Sequence, residues 1–202
     1  MKKSIILVFS VFLISCSSNS QKENGTIENG IYTCHLFEWK IKIPENYTVR
    51  TLQKKQELEE TGYNAIEGNT PDGITVRKNR PDLIGFGIDE RNFFSSSFES
   101  LKGTKKMTLL EHQKFVAELT SNAYSEVSAL EFEQNLDTEK IGKHEFYTIE
   151  TKLYNAKTKE LLLTQWIYNT FIGENLFSAS INYTDEKVYA VLVENFKQSL
   201  TK

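Results

Sequence analysis

The chain carries only two cysteines, three prolines, three histidines and ten glycines in 202 residues. Two cysteines, Cys16 and Cys34, are too few for the disulfide frameworks that staple small exported domains, so folding has to rest on buried surface. The histidines, His35, His112 and His144, fall in separate segments, and no pair has the i, i+4 or strand i, i+2 spacing that presents two ligands to a metal. No turn holds more than two acids, which excludes a local calcium loop. The sparse glycines form neither a Gly-x-Ser-x-Gly elbow nor a phosphate loop: Gly85-Phe86-Gly87 lacks a third glycine and leads to no helix. A basic excess is also missing. With 24 Lys and Arg against 27 Asp and Glu, the chain lacks the clustered positive charge that binds nucleic acid. Its densest basic stretches, Arg77-Lys78-Asn79-Arg80 and Lys102 with Lys105-Lys106, lie in turn-rich sequence and read as solvated loops. Nor is there an apolar run of the ~20 residues that a spanning helix needs, because the one from Ile5 stops at Ile14.

That short run defines the N-terminus. Lys2 and Lys3 precede it, small polar residues follow it, and this is the layout of a cleaved signal peptide. Its last four residues, Leu13-Ile14-Ser15-Cys16, resemble the lipobox of bacterial lipoproteins. The resemblance implies that diacylglycerol is attached to the Cys16 thiol, that cleavage falls just before it, and that the new amine is acylated. One acyl chain, at ~0.8 kcal/mol per buried methylene, holds a protein marginally, whereas two or three make release slow. The implied location is the bacterial cell envelope, with the membrane as a partner through the lipid on Cys16. Ser17-Ser18 contains no acid, so the inner-membrane retention signal of such lipoproteins is missing and the outer membrane is expected.

Removing residues 1–15 as signal peptide leaves 202 − 15 = 187 residues and a net charge of 22 − 27 = −5. Residues 16–29, the lipidated cysteine followed by SSNSQKENGTIEN, have the polar composition of a flexible tether. Residues 30–202 are then a single α+β domain, large enough to bury ~70% of its unfolded surface. Cys34 is left as its sole thiol and reads as a buried apolar residue.

Trp39 to Ile43 alternates and stops at Pro44, as a strand does; Thr51 to Glu67 has helical composition; Leu83 to Asp89 and Phe93 to Phe98 read as strands joined by Glu90-Arg91-Asn92. Thr108-Leu109-Leu110-Glu111 has the form of a capping box. Leu109, His112, Phe115, Val116, Leu119 and Ala123 follow on one face, predicting a helix to about Val127. Four strands come next, Leu130 to Leu136, His144 to Asn155, Leu161 to Phe171 and Leu176 to Tyr183, with the short polar connections of an antiparallel meander. The third is apolar on both faces, Leu161, Leu163, Ile167 and Phe171 on one and Leu162, Trp166 and Tyr168 on the other, so it is expected to be covered twice. With a last helix from Asp185 to Leu200, these patterns predict an antiparallel sheet with helices on both faces, a three-layer α/β/α sandwich.

For chemistry, Glu131 and Glu133 alternate with the inward Leu130 and Phe132 and read as solvent-facing. His112 reads as a core-edge residue. Aromatic residues make up 12% of the chain, and Trp166 with Tyr168, near Phe93, Phe94 and Phe98, are the candidates for lining a ligand groove. No catalytic residue, metal ligand or cofactor is legible.

The order Trp39-Lys40-Ile41-Lys42-Ile43-Pro44-Glu45-Asn46-Tyr47, then Pro81-Asp82-Leu83-Ile84, then Tyr183-Thr184-Asp185-Glu186 entering a helix that ends Phe196-Lys197-Gln198-Ser199, is similar to PsbP-like domains. The resemblance spans nearly the whole mature chain and implies an antiparallel sheet between helices, used in binding or assembly rather than catalysis; it carries over no functional residue. The expectation is therefore a lipid-anchored envelope lipoprotein whose non-catalytic domain binds a partner protein. An envelope hydrolase with a site assembled in space and a carrier of a small ligand or metal are the alternatives.

Overall fold

A computed structural model describes residues 24–50, 82–103 and 107–201. Ten strands and two helices follow one another as β1 (Gly25–Glu28), β2 (Ile31–Cys34), β3 (Lys40–Lys42), β4 (Thr48–Val49), β5 (Asp82–Gly87), β6 (Phe93–Ser100), α1 (Leu109–Ser125), β7 (Leu130–Ile141), β8 (His144–Asn155), β9 (Leu161–Ile172), β10 (Asn175–Tyr183) and α2 (Glu186–Ser199). β7 to β10 are hairpin-connected neighbours, and the large sheet has the order β4-β5-β6-β10-β9-β8-β7, antiparallel throughout. β1, β2 and β3 form a second antiparallel sheet.

The expected α/β/α sandwich is not what forms. Half of the described residues are in strands and 22% in helices, and one of the two outer layers is partly a sheet. On one face α1 lies over β7, β8 and β9, with Val116 and Ala117 against Tyr147, Ile149 and Ile167. On the other, α2 packs on β10 and reaches β3, and the small sheet completes the cover. Its aromatic residues carry the contact: Phe37 stacks on Phe98 at 4.6 Å between ring centroids, and Trp39 meets Phe177 edge-on at 5.1 Å. In the small sheet, β3 is the strand expected from Trp39 to Ile43, whereas β1 and β2 are hard to see in sequence because four residues fall below the window in which alternation becomes a pattern. Its first strand, β1, also falls inside the 16–29 segment expected to be tether. The helix expected near 52–67 lies outside the described residues.

Both helices begin where their capping chemistry says. The Thr108 hydroxyl accepts from the Glu111 amide at 3.2 Å and the Glu111 carboxylate accepts from the Thr108 amide at 2.7 Å; at α2 the Asp185 carboxylate accepts from the Lys187 amide at 2.8 Å. Phe196, fully buried on α2, joins the layers by touching Phe94, Phe146, Tyr168 and Phe177. The strand ends form two edges. At the lower one, the β7–β8 turn needs glycine: Gly142 has φ +58°, and a Cβ there would lie 2.3 Å from the Leu200 carbonyl oxygen.

Candidate functional site

β8 and β9 place Glu150 directly opposite Trp166, and Thr148 opposite Tyr168, on the face that carries α2. The Trp166 ring stacks on Tyr168 at 5.9 Å and on Tyr189 of α2 at 5.9 Å, with ring planes within 23° and 21° of parallel. Tyr189 in turn stacks on Tyr183 at 4.6 Å. The two candidate aromatics therefore divide. Tyr168 is 1% exposed and belongs to the core, whereas Trp166 is half-buried at the margin of α2 and keeps part of its ring accessible. Phe94 and Phe98 are core residues, and Phe93 points to the opposite face, where the Arg50 guanidinium lies 3.5 Å from its ring centre. No aromatic groove joins them to Trp166.

Charge gathers around Trp166 and Tyr189. Burial pushes the Tyr189 hydroxyl up from its ordinary pKa; the hydrogen bond with Tyr168 acts the other way, and Glu139, Glu150 and Glu186 push further upward. Tyr168 is driven well above its usual value, first by burial, then by its contact with Tyr189 and by nearby charge including Glu139. Glu150, with a side chain 17% exposed, is 3.6 Å from the Lys152 ammonium, and Glu139 pairs with Lys197 of α2. The Trp166 indole nitrogen is buried beside the Tyr183 hydroxyl, whose pKa burial raises and the contact with Trp166 lowers. The chemistry on offer is an aromatic plane and an adjacent carboxylate, which suits a cationic side chain.

β7, the last strand of the large sheet, extends this surface. Glu131, Glu133, Asp137 and Glu139 alternate along its α2 side, while Leu130, Phe132, Gln134 and Leu136 face α1. Among the described residues β7 pairs only with β8, so its outer backbone groups form an edge. Simple alternation in sequence locates these acids on one face. What it does not reveal is that α2 reaches only the Glu139 end of the row, through Lys197, and brings Tyr189 to the border of the acids.

A second polar cluster lies under α1. The Asn169 amide donates to the Tyr147 hydroxyl at 2.5 Å, and that hydroxyl meets His112 Nδ1 at 2.6 Å. The Tyr147 oxygen is thus shared between the Asn169 amide and the His112 ring. His112 is also flanked edge-on by Phe115 and Phe171. The network ties α1 to β8 and β9 and supplies no nucleophile. Cys34 is buried, as expected for the thiol that remains after Cys16. Cys16 itself lies outside the described residues. Among the described residues no group of three or more His, Cys, Asp or Glu is placed to hold a metal, and no helix is long and apolar enough to cross a membrane.

No protein-family profile matches the chain, and no curated protein matches it. Among solved structures it is similar to cyanobacterial PsbP (CyanoP) from Synechocystis sp. PCC 6803, determined in solution, at 10% identity over 84% of this chain and 87% of that one, with a TM-score of 0.51. The fold is thus PsbP-like. At this identity the likeness concerns the fold alone.

Proposed function

We propose that this is a lipid-anchored cell-envelope protein, probing no substrate, whose domain holds a partner protein on the surface made by Trp166, Tyr189 and Glu150. The observation that carries the reading is the Trp166 ring: partly accessible at the margin of α2, stacked on Tyr189 and opposite the Glu150 carboxylate. An accessible aromatic face beside a carboxylate attracts a cationic side chain by ~0.5–1 kcal/mol. The acids of β7 favour a partner segment rich in Lys or Arg. The anchor rests on Leu13-Ile14-Ser15-Cys16 and the apolar run before it.

The test has two arms in one strain. Palmitate labelling of the wild-type chain should be strong and should vanish in Cys16→Ala, which should also retain its signal peptide; labelling that persists overturns the anchor. A photo-crosslinking amino acid at Tyr154, on the same face of β8 as Glu150, should trap a discrete protein, while one at Thr158 in the β8–β9 connection should not. Equal recovery from both positions overturns the docking surface.

A further inference from the structure

We propose that the lower edge of the large sheet faces the lipid surface, with Leu36 and Leu110 as its apolar contacts. The proposal rests on the lipid-anchor reading and deepens it. Described structure begins at Asn24, whose side-chain amide donates to the Asp82 carbonyl at 2.9 Å and whose carbonyl accepts from the His35 amide at 2.9 Å. Asp82 begins β5 and pairs with Ser97 near the end of β6; Ser100 pairs with Asn175 at the start of β10, which pairs with Ile172 at the end of β9, and the β7–β8 turn closes the same end against Leu200. Asn24 therefore sits at one defined edge.

From Cys16 to Asn24 there are 24 − 16 = 8 Cα steps. Whatever path they take, eight steps span no more than ~28 Å. The twelve-residue β8 that runs from this edge to the opposite one is ~40 Å long. The leash is shorter than the domain is tall. With its origin at the lower edge, it holds that edge at the lipid and leaves the upper edge, with Ile88 and the β8–β9 connection, standing away from it.

The residues at the lower edge agree with contact. Leu36, in the loop next to Asn24, is 45% exposed, and Leu110, in the first turn of α1, is 56% exposed; Ile88 and Leu161 at the upper edge are exposed to 48% and 49%, so it is the leash that selects the lower edge and Leu36 and Leu110 that it brings to the lipid. They lie on opposite sides of the sheet: the Leu36 loop places Phe37 on Phe98, on the α2 face, whereas α1 covers the other face. The edge could thus rest on both. The exposed charges around them, Glu38, Lys102, Lys143 and Glu174, have both signs, so the contact is apolar rather than electrostatic and should survive high salt.

The experiment uses the lipidated chain purified from membranes, in a Cys34→Ala background, with a fluorophore on Leu36→Cys, Leu110→Cys or, as the distant control, Ile88→Cys. The probe is a vesicle of phosphatidylethanolamine and phosphatidylglycerol with doxyl-labelled headgroup lipid as quencher. Quenching at positions 36 and 110 should exceed that at 88 at least threefold, with and without 0.5 M salt. Protein that floats with the vesicles but is quenched equally at all three positions overturns the orientation and leaves the anchor standing. Protein that does not float overturns the anchor reading, and the orientation with it.

Discussion

At the residue scale, Asn92 does more than any other polar side chain to hold the upper edge together. It is 5% exposed; its amide nitrogen donates to Asp89 at 2.9 Å and to the Thr184 hydroxyl at 3.1 Å, and its carbonyl oxygen accepts from the Thr184 amide at 2.9 Å. It thereby ties the β5–β6 hairpin to the junction of β10 and α2. Asn92→Ala removes the bonds to the Thr184 amide and hydroxyl and the side-chain bond to Asp89, which keeps its two backbone donors, and should cost ~1–2 kcal/mol, read as a lower urea midpoint at unchanged slope. The same contacts set a pH dependence. The hydrogen bond from Asn92, helped by the Arg91 and Asn92 amides against opposing desolvation, holds the Asp89 carboxyl below its usual range. A depressed pKa in the folded state contributes stability that is present above the unfolded value of ~3.9 and is lost as pH falls through the folded one. Asp89→Asn should therefore flatten the acid limb of the stability curve below pH ~4 without steepening it elsewhere. Unfolding titrations of the two proteins between pH 2 and 6 decide this.

At the scale of elements, the long strands and capped helices are legible in sequence and most of the short strands are not. Thr108 with Glu111 and the apolar series from Leu109 define α1 within a residue or two, because side-chain capping and 3.6-residue periodicity act locally. β8, β9 and β10 are visible as alternation bounded by turns. Of the small sheet only β3 shows, in the alternation from Trp39 to Ile43; β1 and β2 escape, since residues such as Tyr32 are buried by partners far along the chain and four residues of alternation carry little signal. The same reasoning explains the partial legibility of the candidate site. Trp166 and Tyr168 share a strand face, but only the position of α2, with Tyr189 stacked on Trp166, decides that one is accessible and the other buried. The lower edge supplies a test of element packing. Gly142→Ala combines a disfavoured positive φ with a contact against Leu200 backbone, and should destabilise the β7–β8 turn by more than ~1 kcal/mol. Hydrogen exchange should show the loss first in β7, at the sheet edge, and in the end of α2; uniform loss across the sheet would contradict a local fault.

At the scale of the whole molecule, two unequal sheets and two helices enclose a core unusually rich in aromatic rings, and tyrosines are part of it. Tyr32, Tyr147 and Tyr168 are among the largest fully buried side chains. Burial raises the pKa of Tyr32, Tyr124, Tyr168, Tyr183 and Tyr189 above the ordinary value. Raised values mean that this contribution is fully present below pH ~10 and is lost as pH rises towards the folded-state values. Absorbance at 295 nm should accordingly show a fraction of the nine tyrosines ionising only as the fold is lost. The proposed anchor at Cys16, the position of Asn24 at the lower edge and the acidic aromatic surface beside α2 belong to one proposal: a domain held close to lipid with a side face open to a partner.

The most direct measurement of that account is the crosslinking yield from Tyr154 in the chain carrying Glu150→Gln. The substitution keeps the size of the side chain and removes the charge opposite Trp166. Loss of a partly desolvated charge pair costs ~1–2 kcal/mol, so the account predicts a drop of about tenfold in the yield of the trapped protein with an unchanged melting temperature. An undiminished yield, with the protein folded and anchored, would contradict the assignment of this face.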